Sequence, residues 1–100
     1  MKKFKVGDPV WYQPRGEYTP MHVARIENIE VTTRASEKYG DPVDEIPADT
    51  EHFVMDVVLV SKPNYDGKYN LRKWARSGQV VYMSDSDRSR YYDFNPNKDA

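Results

Sequence analysis

The sequence predicts a mainly β domain, either a small barrel or a strongly bent antiparallel sheet of five to six strands with a long acidic loop. Runs rich in β-branched and aromatic residues alternate with turns that contain Gly, Pro and Asp. Two of these runs, residues 69–75 and 79–83, flank a short Gly-containing turn and predict a hairpin around which the other strands can be arranged. The apolar fraction of 38% supplies one modest core.

Composition indicates one domain. We expect residues 1–94 to form a single β domain and residues 95–100 to form a flexible polar tail. The chain has no cysteine, which removes disulfides and thiolate chemistry and is compatible with a cytoplasmic location. No run approaches the roughly 20 apolar residues that a membrane helix needs, and the basic start lacks the apolar run of a signal peptide. We therefore expect no membrane partner.

Side-chain alternation predicts strands in the first third of the chain. Apolar residues begin at Phe4 and resume after a Gly-Asp-Pro turn, so Pro9 should begin a strand or lie on a sheet edge. Between residues 21 and 33 the apolar phase changes near Glu27 and Asn28, which predicts a bulge or a sharp bend. A helix competes here because some apolar residues are three apart, but the β-branched residues favour a strand.

The run 53–60 predicts a central strand because it is apolar on both faces apart from Asp56. We expect Asp56 to be a surface-facing or hydrogen-bonded carboxylate with no catalytic role. The preceding residues 34–52 are polar, and the segment 37–56 carries seven carboxylates and one lysine, a net charge of −6. We expect residues 34–52 to be a functional excursion or a mobile surface loop.

The predicted hairpin is basic. Residues 62–76 carry five cations and one carboxylate, a net charge of +4. A short helix capped by Asn70 and ended by Gly78 competes with the first strand, but an eight-residue helix is marginal unless it is packed. After the second strand, Ser84 and the two nearby aspartates predict a turn or a single helical turn.

Two stretches resemble SH3-like barrels of the KOW and Tudor kind. Residues 4–11, Phe-Lys-Val-Gly-Asp-Pro-Val-Trp, are similar to the opening strand of such barrels, in which a Gly-Asp pair precedes the first core valine. Residues 69–74, the Ser-Gly turn and residues 79–84 look like their later hairpin, which one turn of 3₁₀ helix often follows. The acidic segment and the strand at 53–60 depart from a minimal barrel. The resemblance implies a fold more than an activity.

No pattern of a catalytic or metal site is present in the sequence. His22 and His52 lie in separate segments without a histidine partner at metal-ligand spacing, so we expect both to be exposed or hydrogen-bonded. The carboxylates of 41–51 and 85–87 lack the calcium-loop pattern. No phosphate-binding glycine loop or Gly-flanked nucleophilic serine occurs. We therefore predict a protein that is not an enzyme, with no catalytic residue, metal or cofactor.

A binding surface is the remaining interpretation. Trp and Tyr are enriched at interface hot spots because they bury a large area at little cost in entropy. The chain has more aromatic residues than a core of this size needs, although half of them could simply pack the barrel and its ends. The residues predicted to bind a protein partner are Trp11, Tyr12, Tyr18, Tyr82, Tyr91 and Tyr92.

Nucleic acid is the alternative partner, because cations beside aromatic rings bind single strands. The residues predicted for this role are Lys62, Lys68, Arg72, Lys73, Trp74 and Arg76. The net charge of −1 favours a protein partner instead. A further alternative is that the acidic segment imitates nucleic acid and inhibits a partner by occupying its basic groove.

The face of the strand on which Trp74 lies distinguishes a purely structural hairpin from one that binds a ligand. In an alternating strand, Tyr69 and Leu71 point away from the face that carries Arg72 and Trp74. One face can then serve the core while the other displays cations beside an aromatic ring. If Trp74 belongs to the core, Trp74→Ala should cost about 3 kcal/mol or more.

Overall fold

The structure is a computed structural model that describes residues 2–14, 21–60 and 72–92, and it is mainly β, as predicted. Its strands are β1 (Lys3–Lys5), β2 (Pro9–Tyr12), β3 (His22–Val31), β4 (Asp41–Val43), β5 (Glu45–Pro47), β6 (Phe53–Leu59), β7 (Arg72–Arg76) and β8 (Val80–Tyr82). A helical turn, α1 (Asp85–Asp87), follows β8 and continues as a π-helical turn, Arg88–Tyr92. The predicted tail, 95–100, lies outside the described residues.

The strands form two antiparallel sheets. β1 pairs with β5, and the larger sheet has the order β7-β6-β3-β2-β8, with β4 beside the second half of β3. β7 and β8 are the two ends of this order, and within the described ranges they do not pair with each other to close a barrel. The observed form of the predicted fold is therefore an open antiparallel sheet.

A bulge keeps the apolar side chains of β3 on one face. The pairing of β3 with β6 shifts register between Ile26 and Asn28, where the sequence predicts a change of phase. Ile26 and Ile29 are consequently both buried in the same core, at 1% and 0% exposure. Without the bulge, strict alternation would turn Ile29 to the opposite face. The predicted strand and its bulge are confirmed.

The prediction of a central strand at 53–60 is also confirmed, because β6 pairs with β3 on one side and with β7 on the other. One face of β6 contributes Phe53, Met55 and Val57 to a core that draws on both sheets. Val54 and Val58, on the opposite face, are buried as well. The core comprises Phe4, Val10, Tyr12, Ala24, Ile26, Ile29, Ile46, Phe53, Met55, Val57, Ala75 and Val80.

The predicted hairpin of residues 69–75 and 79–83 is wrong. β7 pairs with β6, whereas β8 pairs with β2 at the other end of the sheet. The connection is tight, with Gly78 at a φ of +94° and the Gln79 amide donating to the Arg76 carbonyl at 3.0 Å. The short turn 77–79 therefore joins the two strands that end the pairing order of the sheet. The strand prediction for 72–75 holds while the competing helix does not.

Residues 34–52 hold more regular structure than the predicted loop. They contain β4 and β5, and β5 pairs with β1 at Phe4 and Ile46, which are both core residues. The predicted single helical turn after β8 is present, with Ser84 as its cap: the Asp87 amide donates to Ser84 Oγ at 3.2 Å. None of the helices in the described ranges is long and apolar enough to cross a membrane.

Candidate protein-binding surface

Trp11 faces away from the core because of its place in β2. Its neighbours Val10 and Tyr12 are buried at 1% and 5% exposure. Successive side chains of a strand point to opposite faces, so Trp11 must lie on the other side of the sheet. It is half-buried there and is not a core residue. The most hydrophobic segment of the first strands therefore places its largest side chain on the outer face.

Trp11 lies in an apolar row that crosses the sheet. It is the register partner of Val23 on β3 and of Val81 on β8, and directly paired residues share a face. Val23 accepts a hydrogen bond from the Val60 amide at 2.9 Å, which extends the row to the end of β6. Three neighbouring strands, β8, β2 and β3, thus contribute an apolar side chain at the same level of the outer face, and Val60, which follows β6, adjoins Val23.

The helical turns after β8 fix the position of the Trp11 ring. Trp11 Nε1 donates to Asp87 Oδ2 at 3.3 Å, and the Tyr91 ring packs against the indole edge with centroids 5.0 Å apart. Arg88 adds an ion pair to Asp8 at 3.3 Å, just before β2. Because these contacts hold the indole, a ligand that binds it loses little side-chain entropy at this position.

We call Trp11, Val23, Val81 and Tyr91 the apolar strip. Val81 and Tyr91 are 40% and 44% exposed, while Trp11 and Val23 are half-buried. Isolated apolar residues on a surface are ordinary, but contiguous apolar patches mark interaction sites. The strip has the aromatic anchor and the apolar surroundings that interface centres share.

The structure separates the six aromatic residues predicted for partner binding. Trp11 and Tyr91 come together in the strip. Tyr12 lies in the core, where burial raises the pKa of its hydroxyl above the ordinary value of 10.0. Tyr82 packs against the core with its ring centroid 6.4 Å from that of Phe4. Tyr92 is half-buried in the π-helical turn, and Tyr18 lies outside the described residues.

Sequence reasoning missed Val23 and Val81, because valine in a strand-like run suggests a core residue. The available signal was alternation. If Val80 lies in the core, Val81 must face outward, and the same argument applied to Val10 and Tyr12 places Trp11 outward. Only the pairing of β2 with β3 and β8, however, shows that these residues adjoin each other.

The rest of the outer face near the bulge is occupied by contacts within the chain. Arg25 forms an ion pair with Glu27 at 3.2 Å, and Lys38 forms one with Asp56 at 3.5 Å. Asp56 is thus a partly exposed carboxylate with a charged partner, which agrees with the expectation from the sequence. Glu30 Oε1 accepts a hydrogen bond from the Gly40 amide at 3.2 Å. These contacts fold residues 32–40 back onto β3 and leave the polar part of this face largely satisfied.

The predicted nucleic-acid residues that the structure describes lie on β7. Arg72, Lys73 and Arg76 are exposed, and the first two have no ion-pair partner within the described part of the chain. Trp74 is half-buried on the face opposite Ala75, and the Arg76 guanidinium lies 5.4 Å from its ring centroid. Its Nε1 is buried and has no hydrogen-bond partner among the residues that the structure describes. Lys62 and Lys68 lie outside the described residues.

The acidic segment does not present an uninterrupted negative surface. Glu45, on β5, lies directly opposite Lys5 of β1. Lys3 Nζ lies 3.3 Å from Glu45 Oε1. Beside the bulge, a shallow cleft of about 420 Å³ is lined by Val6, Glu27, Asn28, Pro42, Val43 and Asp44. Across the ranges that the structure covers, no three His, Asp or Glu side chains are grouped to hold a metal ion.

Comparison with family models, with curated proteins and with solved structures gives no match for this chain.

Proposed function

We propose that this protein is a small non-enzymatic interaction module that binds a protein partner through the apolar strip. The observation that carries the proposal is the outward row of Val23, Trp11 and Val81, with the Tyr91 ring packed against Trp11. The outer face of an antiparallel sheet is commonly solvated and polar, so an apolar row on it indicates a surface that a partner covers.

The chemistry of the strip favours a protein over a nucleic acid. Apart from Tyr91, its side chains are Val and Trp, and none of the four is charged. Phosphate contacts supply most of the affinity for nucleic acid, and the strip has no cation to make them. An apolar centre around a fixed Trp is instead the arrangement that protein interfaces use.

The order of the strands supports an SH3-like architecture as part of the same proposal. β2, β3, β6 and β7 follow one another across the sheet, and β8 returns to the free side of β2. Such a small sheet leaves its outer face and its connecting segments for binding. The nucleic-acid-mimic alternative has less support, because Lys3 and Lys5 of β1 lie beside Glu45, one of the carboxylates that would have to imitate phosphates.

Substitution of one exposed valine tests the proposal against a matched control. Val81 is 40% exposed within the strip, and Val6 is 39% exposed outside it, beside the shallow cleft. We expect the wild-type chain and Val6→Arg to retain one partner from a lysate of the source cell. Val81→Arg should retain at least about tenfold less of this partner than the wild-type chain does, because a buried unpaired charge at an interface is costly.

The retained protein is then purified and its affinity for the three chains is measured by calorimetry. The proposal predicts the same order of affinities with purified components. Equal recovery with all three chains, or loss with Val6→Arg alone, would contradict the assignment to the strip.

A further inference from the structure

We propose that the free edge of β7 accepts an extended acidic segment of a protein as an additional antiparallel strand. This site goes beyond the proposed function because it uses the outward backbone groups of β7, whereas the apolar strip uses side chains of β2, β3, β8 and the π-helical turn. The two proposals can therefore fail independently.

The register of β7 shows which of its backbone groups face outward. The Ser77 amide donates to the Phe53 carbonyl at 2.9 Å, which makes this a hydrogen-bonded pair of the ladder. Hydrogen-bonded pairs alternate along antiparallel strands, so Ala75 and Lys73 also direct their backbone groups toward β6. Arg72 and Trp74 direct their N–H and C=O groups away from the sheet.

The outward groups of β7 are satisfied at one end and open at the other. At Arg76, the amide donates to Gln79 Oε1 at 3.0 Å and the carbonyl accepts from the Gln79 amide at 3.0 Å. No residue in the described ranges bonds the outward groups of Arg72 or Trp74. An added strand would find two donors and two acceptors there, which is the pattern that strand addition uses.

The side chains of β7 select the charge of the added strand. Arg72 and Arg76 flank Trp74 on the outer face, and Lys73 lies on the other face. Cations on an edge strand oppose pairing between two copies of that edge, because like charges would face each other. The same cations attract a strand that carries carboxylates at alternate positions. The charge of the edge therefore argues for an acidic segment.

A peptide fits this edge better than a single-stranded nucleic acid. A nucleic-acid backbone offers phosphate oxygens, which only accept hydrogen bonds, so the outward carbonyls of Arg72 and Trp74 would remain unmatched. The Arg76 guanidinium also lies over the Trp74 ring, where a base would need to stack.

The test uses a fluorescein-labelled octapeptide of alternating Glu and Thr, titrated with the full chain and followed by fluorescence anisotropy. We expect saturable binding that weakens about tenfold or more when the backbone amide of every Glu is N-methylated, because N-methylation keeps the charge but removes the donors that face β7 when Glu lies opposite Arg72. Oligothymidylate of the same length should bind more weakly than the Glu-Thr peptide.

Two pairs of variants locate the site. Arg72→Glu with Lys73→Glu should reduce the affinity about tenfold or more, whereas Lys5→Glu with Arg34→Glu makes the same charge change on exposed residues elsewhere and should leave it within about twofold. Arg72→Pro should bind the peptide several-fold more weakly than Arg72→Ala, because both lose the cation and only proline loses the outward N–H.

Thermal unfolding of each variant shows that the fold is retained. Absence of peptide binding, equal binding of the N-methylated peptide, or tighter binding of oligothymidylate would each overturn the proposal. The last of these results would assign the edge to nucleic acid.

Discussion

Replacing Phe53 with alanine is expected to lower the free energy of unfolding by about 3–5 kcal/mol, which is the usual cost of removing a buried aromatic side chain. Phe53 is 2% exposed at the start of the central strand β6. Its ring lies 5.7 Å from that of Phe4, which joins the β1–β5 sheet to the core. The cavity left by alanine would therefore weaken the contact between the two sheets.

The loss of unfolding free energy in Trp74→Ala is compared with that in Phe53→Ala. The sequence alone made Trp74 a candidate core residue with a similar cost. In the structure Trp74 is half-buried on the outer face and does not belong to the core, so we expect less than about half of the Phe53→Ala loss. Urea denaturation followed by circular dichroism measures both. Equal losses would mean that Trp74 packs as a core residue.

Proline is expected to have opposite effects at two adjacent positions of β7. Lys73 and Val57 form a hydrogen-bonded pair of the ladder, so Lys73→Pro leaves the buried Val57 carbonyl without its donor. This should cost about 1–3 kcal/mol, and the proline ring adds a clash to it. Arg72 directs its amide outward, so Arg72→Pro should change stability by about 0.5 kcal/mol or less.

Alanine variants at both positions separate the amide from the side chain. Because Lys73 and Arg72 are both exposed, Lys73→Ala and Arg72→Ala should each lie close to the wild type in the same denaturation experiment. Strong destabilisation by Arg72→Pro, or tolerance of Lys73→Pro, would show that the register of β6 and β7 is shifted by one residue. Such a shift would also remove the basis for strand addition at this edge.

Local sequence patterns predicted the elements whose signals are local. The apolar run of β6, the phase change at the bulge of β3 and the single helical turn after β8 were each predicted from neighbouring residues. In all three, propensity, periodicity and burial agree, so local reasoning and the fold give the same answer.

Local sequence patterns did not predict which distant strands pair with each other. Residues 69–83 read as a hairpin because two strand-like runs flank a Gly turn, yet β7 and β8 pair with β6 and β2. Alternation specifies which face a side chain occupies but not which strand lies beside it. For the same reason Trp11 was predicted for binding, while Val23 and Val81, which adjoin it only through pairing, were not.

The outer face of the sheet divides into regions with different chemistry. The apolar strip lies toward β8, the contacts of residues 32–40 cover the bulged part of β3, and the cations of β7 lie at the far edge. A partner that meets both the strip and the β7 edge would make apolar contacts in one place and backbone hydrogen bonds in the other. Variants at Val81 and Arg72 separate these two contributions because they lie on opposite end strands.

Photo-crosslinking in the source cell tests the central claim most directly. Benzoylphenylalanine is placed at Val81 in one chain and at Val6 in another, since the two valines are equally exposed. We expect irradiation to give a discrete adduct of one protein with the Val81 probe and none with the Val6 probe. An adduct from Val6 alone, the same adduct from both probes, or no adduct from Val81 would contradict binding through the apolar strip.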